Sequence, residues 1–113
     1  MTIIKLFKKG DIFVGFECSG HTGYNEFGED ILCATISGIT QAITLGISKV
    51  CGAQINLVKK DSKGYLKVEL HKSLDNDVVN KTQVLFQTLK LSIEDLLEMY
   101  SDYILMEVIE NVY

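Results

Sequence analysis

The chain has 113 residues, of which 47% are hydrophobic and 23% charged, and a formal net charge of −4. That length holds one core and not two, so residues 1–113 are read as a single domain, and the composition excludes a disordered chain. No cluster of basic residues exceeds two, which argues against a nucleic-acid ligand, whereas a positively charged peptide or protein partner suits the acidic balance.

Residues 2–9 and 11–19 read as two strands joined at Lys9-Gly10-Asp11. In the second, Ile12, Val14, Phe16 and Cys18 share one parity, which marks a buried face and makes Cys18 a small apolar core residue. Residues 21–28 form a loop containing Gly23 and Gly28. A helix is predicted over 30–50, with Asp30 as its N-cap. Its core stripe at 100° per residue is Leu32, Ile36, Ile39, Ile43, Ile47 and Val50. Residues 53–59 and 64–71 form a hairpin around Asp61-Ser62-Lys63-Gly64. A second helix follows from about Asp77 to Tyr100, opened by Asp75-Asn76 and striped by Val78, Leu85, Leu89, Leu96 and Tyr100. A last strand runs from Tyr103 to Ile109.

The order ββ-α-ββ-α-β predicts an α/β fold of the α+β type. Two helices cover one face of a largely antiparallel five-stranded sheet in a two-layer sandwich. The other face is expected to stay open and to show Phe7, Phe13 and Tyr65 as a homodimer or peptide surface. Lys5 and Lys8 interrupt the apolar N-terminus, and no segment reads as long enough to span a membrane, so a cytoplasmic protein is expected. Three cysteines then read as free thiols. Without a CxxC pair or a His/Cys cluster, no metal site and no cofactor is expected. Cys51 reads as structural, and His71 receives no role.

Cys33 is different. It lies in the first turn of the predicted helix, about a quarter turn from the core stripe, on a flank shared with Ser37, Gln41, Thr44 and Ser48. The amides and positive dipole end of a first turn favour a thiolate and can hold an oxyanion. His21 lies one short loop upstream, within reach as a base. Asp30 either caps the helix or orients His21. As an anion beside the thiol, it opposes thiolate formation.

Gly20-His21, then Gly28, then Asp30-Ile31-Leu32-Cys33-Ala34 with Ser37 on the next turn resembles the ribosomal-processing cysteine protease family, Prp. Thr22 departs from the alanine usual in that family after the histidine. The resemblance implies a homodimeric cytoplasmic endopeptidase with Cys33 as nucleophile and His21 as general base and proton donor. Its implied substrate is the N-terminal extension of a large-subunit ribosomal protein, number twenty-seven, bound as a precursor peptide. Gly20, Gly28, Asp30 and Ser37 are supporting residues, loop 22–28 is a candidate lid, and Glu26, Glu29 and Asp30 form an acidic rim suited to a basic substrate. The rival reading is a non-catalytic dimeric α/β adaptor for a ribosomal or assembly partner. A His21–Cys33 metal module is weaker, since two ligands are too few.

Overall fold

The structure is a computed structural model and describes residues 1–20 and 30–110. Five strands form a mixed sheet in the order β3-β4-β2-β1-β5. They are β1 (Thr2–Lys9), β2 (Ile12–Ser19), β3 (Ile55–Lys60), β4 (Tyr65–Leu70) and β5 (Ile104–Ile109). All pairs are antiparallel except β1 with β5, which is parallel because α2 (Asn76–Tyr100) crosses between β4 and β5. The other crossover, between β2 and β3, carries α1 (Ile31–Leu45). The expected ββ-α-ββ-α-β sandwich is the fold observed.

Register explains which sheet face is covered. Leu6 pairs with Phe16, and Phe16 with Val68. This row is fully buried, as is Ile4 two residues away. Thr82, Phe86, Leu89 and Ile93 of α2 and Leu32, Ile36, Thr40 and Ile43 of α1 are buried on the helix side. Each large apolar side chain so removed from water contributes about 1.5–3 kcal/mol before the ordering cost. The polar members are satisfied locally: Thr40 and Thr82 donate to the carbonyls of Ile36 and Val79 at 3.0 and 2.6 Å.

Three expectations shift. The β1–β2 register slips between Phe7 and Lys8, so Phe7 faces Gly15 while Lys8 faces Phe13, and Val14 is the extra residue of a bulge. Parity reverses there, and Phe13 is buried instead of lying on the open face. It stacks on Phe86 with centroids 6.0 Å apart. The α2 stripe is centred on Thr82, Phe86, Leu89 and Ile93, leaving Val78, Leu85, Leu96 and Tyr100 only partly buried beside it.

Third, α1 does not end as a regular helix. Residues Gly46–Val50 form a π turn, with the Cys51 amide donating to the Gly46 carbonyl at 2.9 Å. The wider turn shifts the helical phase, so Val50 is 84% exposed while Ile47 remains in the core. Together Ile31–Val50 are long and apolar enough for a membrane span by length and composition, contrary to the sequence reading. Here Leu32, Ile36, Ile43 and Ile47 pack that helix onto the sheet.

Candidate active site

The end of β2 and the start of α1 frame the candidate site. Gly20 ends β2 with φ +87°, and a Cβ there would meet the Met1 carbonyl oxygen at 2.6 Å. Its amide donates to the Gly64 carbonyl at 3.0 Å. Gly20 is therefore required by the backbone that leads into residue 21. His21, Gly28, Glu26, Glu29 and the proposed lid 22–28 lie outside the described residues.

Asp30 is the N-cap of α1. Its Oδ1 accepts the Cys33 amide at 2.8 Å, and its own carbonyl accepts the Ala34 amide at 3.1 Å, the first bond of the helix. The alternative role of Asp30, orienting His21, lies outside the described residues, whereas capping is observed. Capping also changes which amides face the thiol's surroundings. The Cys33 amide is engaged, so the first-turn donors ahead of the helical ladder are those of Ile31 and Leu32.

Cys33 is half-buried at the edge of the core face, beside buried Leu32 and in line with buried Thr40 two turns further on. On its flank Ser37 is exposed and accepts a hydrogen bond from Gln41 Nε2 at 2.7 Å. Ser37 thus organises the helix flank one turn behind the thiol. Cys18 sits opposite, on the covered face of β2 beside Leu66. Burial, followed by the charges of Cys33 and Glu17, pushes its thiol up to about 11. Cys18 is held neutral, as suits a packing residue. Cys51 caps the π turn, and His71 Nδ1 is 2.6 Å from Ser73 Oγ. Among the described residues, no three His, Cys, Asp or Glu side chains converge in a way that would hold a metal ion.

The residues that sequence reasoning did not single out lie beside that flank. Leu57 and Lys59 of β3 and Leu66 of β4 face Gln41, Thr44 and Leu45 of α1 across a shallow groove. The available signal was weak: β3 is apolar at Ile55, Leu57 and Val58 but sits at the sheet edge, where Leu57 is 51% exposed.

The family profile of the cysteine protease Prp matches residues 1–105. The chain belongs to the Prp family. Its members are cysteine proteases, which makes this chain a cysteine-type endopeptidase and removes the adaptor reading. The ribosomal processing cysteine protease Prp of Bacillus subtilis (strain 168) is 28% identical over 101 residues, covering 89% of this chain and 88% of that protein. Among solved structures, SMU.848 from Streptococcus mutans superposes with a TM-score of 0.83 at 24% identity, over 97% of this chain and 95% of that one. The essential ribosomal processing protease Prp of S. aureus, in complex with a covalently linked product peptide, gives a TM-score of 0.83 at 18% identity. That match covers 96% of this chain and 99% of the other. These superpositions match the Prp fold end to end.

Proposed function

We propose that the chain is the endopeptidase that removes the N-terminal extension of large-subunit ribosomal protein twenty-seven, through a Cys33–His21 dyad. The observation that carries this is the placement of Cys33: a half-buried thiol in the first turn of α1, beside an inert Cys18 and at the mouth of an uncharged helix flank. The family's cysteine-protease activity supplies the reaction class.

In this mechanism His21 takes the Cys33 proton, and the sulfur attacks the scissile carbonyl of an extended peptide. The first-turn amides of Ile31 and Leu32 receive the oxyanion, because Asp30 already holds the Cys33 amide. As the tetrahedral intermediate collapses, the C–N bond breaks and His21 gives its proton to the leaving amine. Water then attacks the thioester carbonyl, His21 takes its proton, and the carboxylate product leaves as the Cys33 sulfur is released. Gly20, held at φ +87° beside the Met1 carbonyl, sets the backbone direction toward residue 21.

The net charge of −4 supports a basic ribosomal substrate. The three free thiols suit a reducing, cytoplasmic compartment. A homodimer is supported by Val84, Leu91 and Met99, exposed apolar residues in line on the outer face of α2.

The test is mass spectrometry of the ribosomal protein precursor after incubation with wild type, Cys33→Ala or His21→Ala. Wild type is expected to yield the shortened N-terminus, and both variants to leave the precursor intact. Intact precursor with wild type overturns the proposal.

A further inference from the structure

An open groove of about 200 Å³ runs between the α1 flank and the edge of the sheet. Gln41, Thr44 and Leu45 form one wall, and Leu57, Lys59 and Leu66 form the other. Its position relative to Cys33 follows from two separate lines. Along the helix, Cys33, Ser37, Gln41 and Thr44 share one flank, tied by the Gln41–Ser37 hydrogen bond. Across the sheet, Leu66 pairs with Cys18, whose thiol feels the charge of Cys33. The groove therefore lies on the same helix flank as the thiol, about two to three turns further along α1.

The α1 side of this groove is unusual for a helix facing water. From Ile31 to Ser48 the helical run carries no charged side chain, yet Ile31 is 74% and Leu45 58% exposed. On the other wall Leu57 points to the helix side, because it pairs with core residue Val68, and remains half exposed. Lys59 is the groove's one charged residue. Lys59 is paired with Asp61 at 3.7 Å, and an apolar occupant would cover Leu45, Leu57 and Leu66.

We propose that this groove is a specificity subsite of the protease, receiving an apolar side chain of the extended substrate about four to five residues from the scissile bond. The inference rests on the reading of Cys33 as nucleophile. The distance follows from geometry: Gln41 and Thr44 lie 8 and 11 residues beyond Cys33, about 12–17 Å along a helix, and an extended peptide covers about 3.3 Å per residue. Binding energy gathered there holds the scissile bond in register over the thiol.

The test compares two synthetic peptides spanning the extension junction of the ribosomal protein precursor. One has six residues on each side of the cut and the other has two. Wild type is expected to prefer the long peptide in kcat/KM, and Leu57→Asp to reduce that long-to-short preference at least tenfold, mainly through KM. Val58→Asp changes the neighbouring residue on the opposite sheet face and is expected to retain the preference. Three results overturn the subsite: an unchanged preference in Leu57→Asp, an equal loss in Val58→Asp, or a loss in Leu57→Asp accompanied by dissociation of a dimer in sedimentation, which would assign the groove to a second copy. If wild type cuts neither peptide, it is the protease reading beneath this proposal that fails.

Discussion

Asp30 holds the Cys33 amide through Oδ1, so one carboxylate both starts α1 and sets the orientation of the turn carrying the thiol. Two substitutions separate cap from charge. Asparagine is an equally good N-cap, so Asp30→Asn is expected to keep the stability of wild type in urea unfolding, whereas Asp30→Ala loses about 1 kcal/mol. The two other thiols separate on different grounds. Strand parity alone put Cys18 on the covered face, and that face holds it neutral up to about 11. In native protein at pH 8, Cys18 is therefore expected to be alkylated at least tenfold more slowly than the same residue in urea-unfolded chain, read by peptide mass mapping. Equal rates would mean that Cys18 is neither buried nor shifted.

At the scale of elements, what was legible depended on whether the cause was local. The N-caps Asp30 and Asp75 and the left-handed Gly64 that closes the β3–β4 turn (φ +58°) are set by residues adjacent in sequence, and all were readable. β4 alternates without interruption toward its end, where Val68 and Leu70 are buried and Lys67 and Glu69 only partly so. One error came from contacts between distant residues. Phe13 changes sides because of the bulge opposite Phe7 and Lys8, and its reward is the stack on Phe86, 73 residues away. Gln83 completes this joint with a fork: its Oε1 accepts the Phe13 amide at 2.8 Å and its Nε2 donates to the Phe13 carbonyl at 2.9 Å. A glutamine on a helix gives no sign in the sequence that it replaces a missing strand partner. Gln83→Ala leaves both backbone groups unpaired and is expected to cost about 1–3 kcal/mol in urea unfolding. Gln83→Leu, which keeps the bulk without the fork, is expected to lose a similar amount. The candidate site divides in the same way: Cys33 and Asp30 follow from helix phase and capping, while the groove walls at Leu57 and Leu66 required the sheet order.

At the scale of the whole molecule, the two sheet faces respond to the same change in the solvent. On the covered face, Cys18 is raised from 9.0 to about 11 by burial, then by Cys33 and Glu17. On the open face, Tyr65 donates a hydrogen bond to Glu17 at 2.7 Å. Its hydroxyl is raised from 10.0 to about 12, first by that bond, then by burial and by the charges of Glu17 and Glu69. Both groups are neutral when protonated, and the folded state keeps each proton to higher pH than the unfolded chain does. Between the two pKa values the unfolded state has released a proton that the native state retains, so unfolding is favoured as pH rises. The stabilisation is complete below about pH 9 and is lost upward, through Cys18 between about 9 and 11 and through Tyr65 between about 10 and 12. Urea midpoints measured from pH 7 to 11 should therefore fall on the alkaline side. Cys18→Ala should flatten the fall that begins near pH 9, even though it lowers the midpoint at pH 7 by removing a packed sulfur. Tyr65→Phe should spare that first fall and flatten only the later one. A midpoint that falls with the same slope in all three proteins would show that neither group controls alkaline stability. Glu17, next to Cys18 on β2 and hydrogen-bonded to Tyr65 on β4, contributes to both shifts, so Glu17→Gln should weaken both phases at once while leaving the covered core intact.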